Sequence, residues 1–575
     1  MRALRLALLI VLLAPGRAGL AARQAPAPQE PAPITAGVAP APGPYAPGID
    51  VRHYDVEIAL AREADTFAGR ASIDVAITAD GASLPLDFTG LAVTRLLVDG
   101  RETPYDYAAG VLRVALPNAR AGRHARVTVE YQGTPDDGLI LRANVHGQRS
   151  AFVDNWPNRT RFWLPSVDHP ADKATVRFTV HAPADWRVIA NGRLVTEAGP
   201  TPPDAIGPAG DRRTWVWEVD EPISSYNMVV GAAAFDVRSV GLAACGRAPA
   251  SRRPDGCVDV TTWIFPEDAD KAVPSFRRAA QMVDHFVETI GDYPFEKLAN
   301  VQSATRFGGM ENASAIFYSE RGIASGRSME GTVAHEIAHQ WFGDAVTEAD
   351  WHHLWLSEGF ATYFGHQFFE ATDGEDAFRA LMEADRQTVL KSEDSNRPLV
   401  DPSVTDLFAL LNRNSYQKGG WVLHMLRGLL GDEAFFRGIR AYYRANLHQA
   451  VLSDALRAAM ESASGRDLGW FFAQWLHQPG YPVFEAAERW EPDATGGGGQ
   501  MIVTLRQVQK AAWPRFRVPL ALCWGSGTDR TCRPATSATA EDTFRFAFDA
   551  RPAGAVAIDP DGWVLKDVAA GGGGR

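Results

Sequence analysis

Two histidines and a glutamate share one pentapeptide, His335-Glu336-Ile337-Ala338-His339, in a run whose apolar residues Val333, Ile337, Trp341 and Phe342 predict a buried helix. Residues four apart on an α-helix lie one turn above each other, so both imidazoles can grip one ion from a single face. Glu336 then points toward the ion's open side. Neutral histidine nitrogens plus one carboxylate are the ligands zinc takes when it keeps a fourth position free for water. Glu358 stands 19 residues beyond His339, in the second apolar run Leu354-Trp355-Leu356-Ser357-Glu358-Gly359-Phe360, and is the natural third ligand. Such a pentapeptide also occurs idly on surface helices. In a buried stretch, however, these side chains must be paired or coordinated, and one metal ion per chain is the expectation.

Two further segments carry chemistry only in company. Gly308-Gly309-Met310-Glu311-Asn312 follows a predicted strand, Leu298 to Ala304. Its glycines would let a backbone approach a ligand closely, and Glu311 would supply a fixed negative charge. Tyr416-Gln417-Lys418-Gly419-Gly420 opens another helical run. In isolation the first reads as a glycine turn and the second as a packing tyrosine.

The elements that must position these residues fall into blocks. From Tyr54 to about Phe235 apolar residues alternate, as in Tyr54, Val56, Ile58 and Leu60 or Val127, Val129 and Tyr131, which predicts strand after strand in an all-β domain, a large sandwich or saddle-shaped sheet. Helical periodicity takes over near Asp270, where Phe276, Ala280, Val283, Phe286 and Val287 describe one face, and it persists to Leu476. Short strands return after Pro479-Gly480-Tyr481-Pro482 and suggest a small β-sandwich. The expected division is residues 1–21 as a signal peptide, 22–48 as a Pro/Ala-rich linker, 49–240 as the β-domain, 241–482 as the helical domain, 483–568 as the sandwich and 569–575 as a disordered tail. At 575 residues, several cores are required.

A net charge of −12 without a basic stripe argues against nucleic acid as a partner. Met1 to Arg5 is positive, Leu6 to Leu13 is apolar but short for a membrane span, and small residues surround Gly19-Leu20-Ala21. That order describes a cleaved export signal, leaving no stable membrane span and a periplasmic or secreted protein. Cys245 and Cys257 flank one loop, Cys523 and Cys532 another; in an exported chain each close pair predicts a local disulfide.

Taken together, Gly308 to Asn312, His335 to His339 with Trp341-Phe342-Gly343-Asp344, Trp355 to Phe360, Tyr416 to Gly419 and the closing Gln474-Trp475-Leu476-His477-Gln478-Pro479-Gly480-Tyr481-Pro482 resemble the aminopeptidase N and leukotriene hydrolase family of gluzincins. The resemblance implies a multidomain α+β chain: an all-β domain, a thermolysin-like, mainly helical catalytic domain and a small C-terminal β-sandwich. It implies that His335, His339 and Glu358 hold zinc, that Glu336 is general base toward water, and that Tyr416 donates to the oxyanion. Glu311 would pair with the substrate's free α-ammonium, and Gly308, Gly309, Met310 and Asn312 would line the peptide's docking edge. The expected function is hydrolysis of N-terminal residues from peptides with a free N-terminus. Endopeptidase action, lipid epoxide hydrolysis and non-catalytic peptide binding are the alternatives. One position departs from the family pattern. Counting back from Pro165-Ser166-Val167-Asp168-His169-Pro170 places Trp156 where many members carry a second amine-anchoring Glu or Gln; Asp154 and Asn155 stand close enough to substitute after a small shift, and Asn155 is the expected one.

Overall fold

The computed structural model describes residues 48–207, 210–494 and 496–569. The expected signal peptide, nearly all of the linker and nearly all of the tail lie outside them.

The alternating N-terminal segments form an eight-stranded sheet centred on Ile49–Ala59, which runs parallel to Lys173–Pro183 and antiparallel to Phe67–Ile77. Burial alternates along these strands, as the period-two pattern requires: Tyr54, Val56 and Ile58 face the core, and His53, Asp55 and Glu57 between them are only half-buried. A second sheet of four short strands, including Arg149–Val153 and Val230–Ala233, is buried more completely. It packs through Phe152 onto Phe265 and Phe317 of the following domain. That contact locks the two domains together.

The next domain is less purely helical than its periodicity suggests. Five strands form a mixed sheet in the order Asp236–Ala243, Val258–Ile264, Leu298–Ser303, Ala315–Ser319 and Gly309–Met310. The first of these crosses the expected boundary at 240. Its partner, Val258–Ile264, lies beyond a cysteine-flanked loop, so it joins the second domain and the break moves to about Phe235. The short strand Gly309–Met310 ends the sheet order, with one backbone edge unpaired by any other strand among the described residues.

Against this sheet pack helices α1 (Ala269–Phe276), α2 (Ala279–Thr289), α3 (Glu320–Ala324) and α4 (Glu330–His339); α5 (Trp355–Asp373) packs on α4, and α6 (Glu375–Lys391) and α7 (Gly419–Leu430) pack on α5. Helix α4 is buried along Val333, Ala334 and Glu336 to His339, and α5 from Trp355 to Gly365, which explains their apolar sequences. The C-terminal segments form a four-stranded and a three-stranded sheet joined across Trp524, Phe546 and Phe548. Both local disulfides, Cys245–Cys257 and Cys523–Cys532, are formed.

Candidate metal centre

His335 and His339 project from α4 as the four-residue spacing demands, and α5 brings Glu358 up to them. The two Nε2 atoms are 3.0 Å apart, and Glu358 Oε2 lies 3.1 Å from His335 Nε2 and 3.4 Å from His339 Nε2. Ligand atoms about 2.0–2.2 Å from a tetrahedral ion stand roughly 3.3–3.5 Å from each other, so this spacing is close to the edge of a zinc coordination tetrahedron. His339 Nδ1 lies 3.0 Å from the Phe342 carbonyl oxygen. A carbonyl only accepts, so Nδ1 carries the proton and the Nε2 lone pair faces the cluster, the orientation a metal ligand needs.

The electrostatics point the same way. Burial pushes the Glu311 carboxyl up to about 7, with His339 pulling it down and Glu358 pushing it further up. Burial also raises Glu336 well above the usual carboxylate range, opposed by His339 and reinforced by Glu311 and Glu358. Burial would raise Glu358 as well, but its hydrogen bonds to the two histidines hold it near 2. His335 is lowered by burial; His339, which burial also lowers, is raised on balance by the three facing carboxylates. Three buried acids thus compete for little positive charge. A dication held by His335, His339 and Glu358 would relieve that crowding, and this donor set fits zinc.

Glu336 and Glu311 converge with His339 in a second cluster, whose ligand atoms lie within 4.8 Å of one another. Gly309 explains why the Glu336 carboxylate sits where it does. A Cβ on Gly309 would lie 2.1 Å from Glu336 Oε1, so the glycine makes room for the carboxylate as much as for any ligand. Gly308, by contrast, faces open space, and a Cβ there meets nothing within 4 Å. Because every obstructing atom belongs to the Glu336 side chain (Oε1, Cδ and Cγ) and none to backbone, Gly309→Ala should spare the fold and displace the carboxylate. We expect turnover to fall about 10²-fold, as for ångström-scale misplacement of a catalytic group. Zinc content and melting temperature should stay near wild type, as should the melting temperature of Gly308→Ala. Elemental analysis, a thermal melt and an anilide assay read all three quantities, and wild-type turnover in Gly309→Ala would show that the carboxylate needs no such space.

Tyr416 lies in a π-turn, Asn414–Lys418, immediately before α7. Such widened turns recur at functional sites because they re-aim one side chain. Its hydroxyl donates to Glu358 Oε1 at 2.8 Å, and its ring stacks on His335 at 5.9 Å. The approach depends on two glycines in backbone contact: a Cβ on Gly359 would lie 2.8 Å from Gly419 Cα, and one on Gly419 would lie 2.9 Å from Gly359 Cα. Here helix packing without side chains brings the tyrosine to the glutamate.

Other expected site residues are placed differently. The side chains of Met310 and Asn312 are buried, as is that of Glu311, while the backbone edge of Gly309–Met310 ends the sheet order. Asn155 does not fit the amine-anchor role. It is fully buried, its Nδ2 donates to the carbonyls of Ser225 (3.2 Å) and Met228 (2.7 Å), and its Oδ1 accepts from Trp163 Nε1 (2.8 Å). Both amide hydrogens are spent, and complete burial keeps the oxygen's remaining lone pair from substrate. Asp154 is likewise engaged by Arg159 and Arg306.

Sequence reasoning missed the β-domain residues that brace the loop after α4. Lys173 Nζ donates to the carbonyls of Asp344 and Ala345, both at 2.8 Å, and the Tyr226 hydroxyl donates to that of Gly343 at 3.0 Å. No periodicity announces a contact spanning well over a hundred residues.

Comparison with known proteins sets this geometry in a family. Residues 276–475 match the peptidase family M1 domain and residues 51–226 the peptidase M1 N-terminal domain. The chain belongs to peptidase family M1. Among curated relatives, it is 29% identical to aminopeptidase N of Streptomyces lividans over 78% of this chain and 52% of that one. It is 26% identical to leucyl aminopeptidase of Saccharolobus solfataricus over 76% of this chain and 54% of that one. The chain therefore spans about half the length of the curated relatives it matches. A crystal structure of an M1 zinc metallopeptidase from Deinococcus radiodurans superposes with a TM-score of 0.64 at 26% identity, covering 76% of this chain and 95% of that one.

Proposed function

We propose that this M1 chain is an exported zinc aminopeptidase that removes N-terminal residues from peptides. The observation that carries the reading is the convergence of Glu311 with Glu336 and His339, ligand atoms within 4.8 Å, beside the His335–His339–Glu358 cluster. A buried carboxylate at that distance from a hydrolytic centre suits a substrate ammonium one residue from the scissile bond. An endopeptidase has no use for it.

His335, His339 and Glu358 would hold zinc. Zinc there supplies Lewis acidity toward a carbonyl oxygen and toward water. Glu336 takes the proton of the attacking water and passes it to the leaving amine. Tyr416, its hydroxyl beside Glu358, turns toward the negative charge that develops on the carbonyl oxygen, a contribution of about 10²–10³ for one oxyanion donor. The free edge of Gly309–Met310 takes the extended peptide as an added strand, and Glu311 pairs with its α-ammonium. Relatives support the chemistry: a variant of the Deinococcus protein has been crystallised with a Tyr-Ser-Ala substrate, and a two-domain M1 zinc metallopeptidase variant with L-tryptophan and with L-arginine. Export is supported by the signal-like first residues and the two disulfides. Among the described residues no helix is long and apolar enough to cross a membrane.

A panel of amino-acid anilides and their N-acetylated counterparts tests the proposal. Free anilides should be hydrolysed and acetylated ones spared; a chelator should abolish turnover, and added zinc should restore it. Cleavage inside N-terminally blocked peptides would instead identify an endopeptidase.

A further inference from the structure

Gln340 directly follows His339 and is completely buried. Its amide nitrogen donates to the Glu311 carbonyl and to Asp344 Oδ2, both at 2.7 Å. Its amide oxygen accepts from the Ser314 N–H at 2.7 Å, with the Tyr293 hydroxyl at 3.4 Å. The partners dictate the orientation: a carbonyl can only accept and a backbone N–H can only donate, so the flipped amide would make neither bond. One side chain therefore ties together three pieces of the chain, the backbone at Glu311, the backbone at Ser314 and the Asp344 carboxylate.

Each piece bears on the site. Glu311 and Ser314 bracket the turn that leads from the edge strand into Ala315–Ser319. Ser314 sits at φ +63°, a left-handed conformation that a residue with a side chain seldom adopts without support. Gly192 N–H donates to its Oγ at 2.7 Å, and Gln340 holds its N–H. Asp344, the third partner, lies in the loop whose Phe342 carbonyl orients His339. Gln340 itself is tied to His335, Glu336 and His339 through the helix backbone.

We propose that Gln340 is a positioning residue that fixes the separation between the metal centre and the Glu311 carboxylate, and so sets the register in which a free N-terminus is accepted. The inference rests on the reading of Glu311 given above. A slack link lets the Glu311 turn drift while the metal ligands, held by α4 and α5, stay in place. Recognition of the ammonium then suffers before the chemistry does.

Gln340→Met, close in shape but without the amide, and Gln340→Asn, polar but too short to bridge, test this. Zinc content, KM and kcat on a free anilide, and the free-to-acetylated ratio of kcat/KM are the readouts. Either variant should keep one zinc per chain, raise KM for the free anilide about tenfold or more with a smaller change in kcat, and lower the ratio at least tenfold. Asp344→Asn, which retains an acceptor for the amide, should keep the wild-type ratio. A wild-type KM and ratio in whichever variant folds with zinc bound would overturn the proposal. If wild-type protein itself fails to distinguish free from acetylated substrates, the Glu311 reading falls; if wild type and variants discriminate alike, only the role of Gln340 falls.

Discussion

Glu336→Gln should keep its zinc and lose turnover by about 10²–10⁴-fold or more, the loss that follows removal of a general base. The substitution is nearly isosteric, and Glu336 is not among the three groups that surround the metal position, so binding has no reason to change. The amide still fits beside Gly309, where a Cβ would lie 2.1 Å from the native Oε1. What disappears is an atom able to take a proton from water and return it to the amine. Zinc by elemental analysis and kcat on a free anilide separate the two properties. A zinc-loaded variant with wild-type turnover would remove Glu336 from the reaction.

Glu311→Ala should lower kcat/KM for peptides with a free N-terminus by about 10²–10³-fold, in line with the penalty for removing one partner of a buried charge pair. Acetylated substrates, which carry no ammonium, should be hydrolysed no more slowly than by wild type. Glu311 is buried and belongs to the second cluster rather than the metal triad, so zinc should remain. Its removal takes one negative charge from a crowd of three, which leaves Glu336 easier to ionise. An equal loss on free and acetylated substrates would place Glu311 in general support of the site rather than in amine recognition.

Much of the site was legible because its geometry is local. The four-residue spacing of His335 and His339 becomes one helix face on any α-helix, and apolar neighbours already said that the face was buried. Glu358 was legible as an acid in a second buried run. Period-two alternation from Tyr54 onward likewise announced the β-domain. What escaped the sequence is what depends on distant chain. Asn155 adjoins the right position in the count, yet Ser225, Met228 and Trp163 consume its amide. Gly309 reads as a docking glycine, whereas its packing partner is Glu336, 27 residues on. Lys173 reaches the loop behind His339 from another domain, and the boundary near 240 was obscured because Asp236–Ala243 finds its partner only across the Cys245–Cys257 loop.

Anomalous diffraction at the zinc edge, from crystals of the zinc-equilibrated protein, tests the metal centre most directly. One peak per chain is expected about 2.0–2.2 Å from His335 Nε2, His339 Nε2 and a Glu358 oxygen. No peak there, with the three side chains bonded only to one another, would contradict it.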